Sequence, residues 1–309
     1  MTRNAAWAGT ARRPLETVLS DLEHLLREAG PIAVAVSGGV DSMTLATIAH
    51  RAAPGETEMV HAASVAVPAE ATERVAREAA RMGWRLAIVD AAELADPGYR
   101  SNPVDRCFFC KTNLYDTIAA RTAAQIVSGA NMDDLGEYRP GLDAARRRGV
   151  RHPFLEVKAG KVLVRALARH LGLNELAELP AAPCLASRVE TGIAIRVDLL
   201  AAIHAGERLL AETLPRIGPQ TAVRCRLRRS AVVIELDPES FAALAGRADI
   251  VDRIALLFAA AGVTLPVAFA PYRTGSAFLR APALLASRES FVRSATDEDL
   301  CSPAAEARG

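Results

Sequence analysis

Leu15, Val18, Leu22, Leu25 and Leu26 recur at three- and four-residue steps, the spacing of one helical face. The unbroken apolar run Ile32–Val36 follows, as expected for a strand buried on both faces. Beyond it the two periods alternate. Met43–Arg51 reads as a helix, Met59–Val67 as a strand, Ala69–Arg81 as a helix and Trp84–Val89 as a strand. A helix over Lys111–Ala124 leads into a fourth strand, Ile126–Gly129, with further helices over Leu142–Arg148 and Gly160–Leu171. Gly172 fits the left-handed stop of the last of these. Strands alternating with helices at this spacing predict an α/β fold with a doubly wound parallel sheet.

The pattern changes after about residue 198. Leu199–Leu214 is helical, and Pro215–Pro219 breaks it. Ala222–Leu227 and Ala231–Leu236 alternate like a hairpin turning at Arg228–Ser230. Phe241–Ala261 reads as a helix and Val263–Phe269 as a strand. The expected organisation is a main domain over 1–198, a small C-terminal α+β domain over 199–283, and a polar, flexible tail over 284–309.

At about 150 residues per domain, the 309 residues fit two domains. Half of them are hydrophobic and 24% charged, which suits a buried core and not a disordered chain. The formal charge of +1 argues against a dedicated nucleic-acid binder, which carries a basic excess. No apolar run approaches the roughly 18 residues of a membrane span, and the first 30 residues lack a signal core. A cytoplasmic protein is expected.

Ser37-Gly38-Gly39-Val40-Asp41-Ser42 sits between the first strand and its helix. Glycines there let a ligand approach the backbone, and free amides with the helix dipole attract an anion. Cys107 and Cys110 form a CxxC pair, and Cys184 stands in Pro183-Cys184-Leu185-Ala186-Ser187-Arg188. In a reducing compartment such a pair is more often a metal, cluster or redox site than a bridge. Structural zinc wants four ligands, and no histidine lies at ligand spacing from the pair.

The hexapeptide matches the PP-loop of ATP pyrophosphatases, which grips pyrophosphate while a substrate oxygen is adenylylated. Four further stretches resemble one branch of that superfamily. They are Asn102–Lys111 (NPVDRCFFCK), Gly129–Gly141 (GANMDDLGEYRPG), Pro183–Arg188 (PCLASR) and Tyr272–Ser276 (YRTGS). In this order they resemble the LarE-type pyridinium-3,5-biscarboxylic acid mononucleotide sulfurtransferases, which build the nickel-pincer cofactor of lactate racemase and related enzymes. The sequence departs from the pattern at Ala177-Glu178-Leu179 and in LPVAFAPYR, where substrate contacts and partner choice are affected.

The resemblance implies a PP-loop fold and an enzyme that uses ATP and Mg²⁺ to adenylylate a carboxylate, then exchanges AMP for sulfur. It assigns ATP to Ser37, Gly38, Gly39, Asp41, Ser42, Ser64 and Gly129. The resemblance makes Cys184 the catalytic cysteine. Single-cysteine members sacrifice that sulfur and keep dehydroalanine, whereas three-cysteine members hold a 4Fe–4S cluster with a transferable sulfide. Cys107, Cys110 and Cys184 fit the second type, since three thiolates leave one iron free. Arg106, Arg139, Arg188, Arg224 and Arg226 are candidates for the anionic substrate, because guanidinium forks bind carboxylates and phosphates. Asp133, assigned with them, and its neighbour Asp134 either hold magnesium or ribose or cap the next helix. A small-molecule pyridinium substrate, a homo-oligomer and a downstream nickel-insertion protein are the expected partners. A tRNA 2-thiolation enzyme, which also pairs a PP-loop with cluster cysteines, is the alternative.

Overall fold

Every residue of β1 (Ile32–Val36) is buried, because side chains alternate between two covered faces. The structure is a computed structural model describing residues 13–136, 138–180, 183–214, 223–244, 247–273 and 276. β1 lies inside a parallel sheet with β2 (Thr57–Ala62), β3 (Arg85–Val89) and β4 (Gln125–Ser128), in the order β3-β2-β1-β4. Val34 pairs with Met59 on one side and Val127 on the other.

Ile32, Val34 and Val36 join one core with Val18, Leu22 and Leu26 of helix Leu15–Glu28, Met43 and Ile48 of helix Val40–Ala52, and Val164 and Leu167 of helix Lys161–His170. Ala33 and Ala35 join the other core with Leu114, Tyr115 and Ile118 of helix Arg106–Arg121 and with Ala144 and Ala145 of helix Pro140–Arg147. The sheet is therefore parallel and flanked by helices, compatible with a Rossmann-like PP-loop fold. No described helix is long and apolar enough to cross a membrane.

A second sheet contains β5 (Val223–Leu227), β6 (Val232–Leu236) and β7 (Val267–Pro271), ordered β5-β6-β7. β5 and β6 form the expected antiparallel hairpin, closed by the Arg228 amide donating to the Ala231 carbonyl at 2.9 Å, and β7 adds in parallel. Its core takes Ile203 and Leu210 from helix Val197–Thr213 and Ile254 and Phe258 from helix Ala248–Ala260. The same core reaches back to Leu185, Val189, Tyr99 and Ala66.

Four expected elements differ, the last strand running over Val267–Pro271 in place of Val263–Phe269. β2 stops at Ala62, because the Ser64 hydroxyl accepts the Ala66 amide at 3.2 Å and turns the chain toward helix Ala69–Met82. Helix 241–261 is two helices, Pro238–Ala243 and Ala248–Ala260, the first capped by Asp237 accepting the Ser240 amide at 2.9 Å. The helix expected over Lys111–Ala124 runs over Arg106–Arg121, so the CxxC pair lies at its start. The 284–309 tail falls outside the described residues.

Candidate active site

The chain leaves β1 for β2 on one side, whereas β4 pairs on the other, so a crevice opens beyond the carboxyl ends of β1 and β4. Ser37–Ser42 lies there. Gly38 has φ +78° and a Cβ on it would meet the Ala71 carbonyl oxygen at 2.7 Å, so only glycine fits. The Ser42 hydroxyl accepts the Ser37 amide at 3.0 Å, lies 3.1 Å from the Ser37 hydroxyl and donates to the Gly39 carbonyl at 3.2 Å. Gly39 precedes helix Val40–Ala52, whose first amides face the loop as an anion cradle. From outside, Arg74 donates to the Gly38 carbonyl at 2.8 Å. Gly129, just past β4, packs so closely that a Cβ would meet the Ser42 amide nitrogen at 2.8 Å. Ser64 lies beyond the end of β2, where its hydroxyl serves the turn.

Asp41 pairs with the ammonium of Lys161, and Asn131 donates to its other oxygen at 3.3 Å. Lys161 was not among the residues expected from sequence. It comes from helix Lys161–His170, and Asp133 holds its amide, so a cation stands over the loop at a fixed place. Asp134 accepts the Asn131 amide at 3.0 Å and pairs with Arg139 at 2.9 Å. Neither acid caps the next helix, Pro140–Arg147; Asp133 holds the start of helix Lys161–His170 and Asp134 braces its own loop.

The three cysteines lie near enough to influence one another's charge. Cys107 and Cys110 lie at the start of helix Arg106–Arg121, and Cys184 opens the turn Leu185–Arg188. Burial pushes the Cys107 thiol up and Cys184 adds to this, against Arg106, Lys111 and Arg139. Burial likewise pushes Cys110 up to about 12, with Cys184 and Cys107 reinforcing it and Lys111 opposing. Burial works against the Lys111 ammonium, yet Tyr115 and all three cysteines outweigh it and raise its pKa.

Among the described residues no three His, Cys, Asp or Glu side chains converge as ligands of one metal ion. A cubane cluster binds each thiolate to a different iron, so its ligands stand farther apart than those of a single ion. The donor set fits such a group. It offers three partly buried thiols and three cations, Arg106, Lys111 and Arg139, to offset thiolate charge. Cys225 stays apart, fully buried beside Gly206, its thiol pushed up by burial.

Asn102, with φ +51°, sets the distance between these cysteine segments. Its amide donates to the carbonyls of Glu190 and Ile193 at 2.9 Å, and its oxygen accepts from Arg106. Arg106 is 2% exposed and belongs to this joint. The Leu185 amide donates to the Ala66 carbonyl at 2.8 Å, fastening the Cys184 turn to the loop after β2.

Arg188 is 3% exposed and forks onto Glu207 at 2.9 and 3.0 Å. Its remaining nitrogen donates to the carbonyls of Pro183 and Cys184 and to the Ser187 hydroxyl, at 2.6, 3.2 and 3.0 Å. That commitment leaves no edge for a substrate carboxylate, so Arg188 shapes the cysteine turn. Arg226 donates to Glu235 at 2.7 Å and to the Ser187 carbonyl at 3.1 Å, bracing the same turn from β5. Arg224, half-buried, lies over the Tyr272 ring at 5.7 Å, and burial followed by Arg188 lowers its pKa. Thr274 and Gly275 of the YRTGS segment fall outside the described residues.

No family model matches the chain. It is 35% identical over 229 residues to the uncharacterized protein slr1717 of Synechocystis sp., spanning 73% of this chain and 83% of that one. It is 29% identical over 240 residues to the pyridinium-3,5-bisthiocarboxylic acid mononucleotide synthase of Lactiplantibacillus plantarum, spanning 76% and 82%. The uncharacterized protein MJ0830 of Methanocaldococcus jannaschii is 25% identical over 212 residues, spanning 67% and 78%.

Proposed function

We propose that the chain is a LarE-type ATP-dependent sulfurtransferase that converts the carboxylates of pyridinium-3,5-biscarboxylic acid mononucleotide to thiocarboxylates, a reading supported by its similarity to the Lactiplantibacillus plantarum synthase. The observation that carries this reading is that one run of residues links the phosphate cradle to the cysteine segments. Lys161 and Asp133 tie the cradle to the segment holding Asp134 and Arg139, and Arg139 acts on Cys107.

The cradle amides, the Ser37 and Ser42 hydroxyls and the Lys161 ammonium bind and orient the phosphates of ATP. Asp41, the carboxylate at that cradle, would meet Mg²⁺ once Lys161 turns to the phosphates. A substrate carboxylate oxygen attacks the α-phosphorus, the bond to the β-phosphate bridge breaks, and pyrophosphate leaves. The acyl-adenylate is then the acceptor for sulfur. Cys107, Cys110 and Cys184 would hold a 4Fe–4S cluster that, when bound, supplies the sulfur displacing AMP. Arg106, Lys111 and Arg139 offset thiolate charge there, while Arg188 and Arg226 hold the Cys184 turn.

Anaerobic purification with iron and sulfide analysis tests the reading, followed by peptide mass analysis after turnover. About four irons per chain and an intact Cys184 are expected. An iron-free anaerobic preparation with dehydroalanine at position 184 would overturn the cluster source of sulfur.

A further inference from the structure

The peptide unit joining Gly38 to Gly39 sits in the middle of the loop, and its carbonyl oxygen accepts from the Arg74 guanidinium at 2.8 Å. No peptide bond among the described residues is cis, so the carbonyl and the N–H of this unit point in opposite directions. Arg74 lies on helix Ala69–Met82, outside the loop. Drawing the Gly38 carbonyl toward that helix therefore turns the Gly39 amide inward, to the side where an anion would sit. Among the described residues that amide donates to no backbone carbonyl.

Two consecutive glycines leave this unit free to turn over. Gly38 has φ +78° and Gly39 φ −84°, and neither carries a Cβ that would resist the exchange of φ between the two halves of the map. Turned over, the unit would aim a carbonyl oxygen at the phosphates in place of an amide. Arg74 reaches it from a fixed base. The Thr72 hydroxyl of the same helix lies 2.9 Å from one ring nitrogen of His61, and the other meets the Val36 carbonyl at 2.9 Å, where β1 ends and the loop begins.

We infer that Arg74 is a positioning residue for the loop, whose hydrogen bond keeps the Gly38–Gly39 peptide with its amide toward the bound phosphate. This rests on reading Ser37–Ser42 as a phosphate cradle. Arg74 acts through the backbone and does not itself touch the ligand.

Arg74→Met keeps most of the apolar stem and removes the donor. Inorganic pyrophosphate, titrated calorimetrically into the full chain, is the probe. Its affinity for Arg74→Met should fall roughly ten- to hundred-fold, the worth of one aligned hydrogen bond to a charged group. The melting temperature should stay at the wild-type value. Arg74→Lys, which retains one donor, should recover part of the loss. In Arg74→Ala, millimolar guanidinium chloride should restore affinity where sodium chloride at the same concentration does not. Wild-type affinity in Arg74→Met would overturn the inference, as would a lowered melting temperature with a loss that neither lysine nor guanidinium recovers. Failure of the cradle reading would show separately, as no pyrophosphate binding by the wild-type protein, and would overturn both.

Discussion

Gly129→Ala probes whether the end of β4 and the phosphate loop form one close-fitted site. The added methyl would lie 2.8 Å from the Ser42 nitrogen, 2.9 Å from the Asp41 carbonyl carbon and 3.0 Å from the Ser42 Cα. All three atoms are backbone of the cradle, so no side-chain rotation relieves the clash. Ordinary contact begins near 3.5 Å, and the loop must retreat by about 0.5 Å. Overpacking of this kind costs about 1–3 kcal/mol, or roughly 3–10 °C in melting temperature for a chain of this size. A misplacement of about 1 Å costs on the order of 100-fold in rate, so half of that implies roughly tenfold slower pyrophosphate release. Thermal denaturation and a coupled pyrophosphate assay read the two effects. Gly55→Ala is the control, since a Cβ there meets nothing within 4 Å and both quantities should stay at wild-type values. Wild-type pyrophosphate release and stability in Gly129→Ala would refute the reasoning.

Gly39→Ala should behave differently, because its Cβ would lie an ordinary 3.5 Å from the Ser37 hydroxyl. Its melting temperature should match wild type while ATP-dependent pyrophosphate release falls, since the methyl obstructs only the approach of phosphate; equal loss of both would contradict this. Arg188→Ala strands Glu207 and frees the cysteine turn, so urea denaturation should show a loss of about 3–5 kcal/mol. Full stability with a raised KM for the pyridinium substrate would instead make Arg188 a direct ligand. Burial depresses the pKa of His61, whose ring nitrogens meet the Val36 carbonyl and the Thr72 hydroxyl, each at 2.9 Å. The unfolded chain therefore binds more protons below pH 6.5, and stability should be full above that value and erode as pH falls beneath it. His61→Gln should flatten that acid slope in melting-temperature scans; parallel slopes would count against it.

β1, β3 and β4 were legible because continuous apolar runs between turn signals have few other readings. The cradle was legible because its residues are consecutive. Ala63–Val67 misled, since its small and branched side chains suit a strand and only the Ser64 turn stops it. Helix Arg106–Arg121 hid its true start, because Cys-Phe-Phe-Cys carries no helical period and its partners lie in three other segments. Lys161 pairs with Asp41 across 120 residues, and nothing local marks that lysine. Arg188 pointed toward a ligand because motif position says nothing of Glu207, whose carboxylate takes the fork from a different helix. Asn102 belonged to a quoted motif, yet its bridging role depends on carbonyls at Glu190 and Ile193 that only the fold brings near.

The central claim is that adenylylation and sulfur delivery are separate acts of adjoining sites, the second turning on Cys184. Cys184→Ala, assayed anaerobically with ATP, magnesium and the pyridinium dicarboxylate mononucleotide, tests it most directly. The account expects pyrophosphate release to persist while no thiocarboxylate appears by mass spectrometry. Thiocarboxylate formed at the wild-type rate by Cys184→Ala would contradict it.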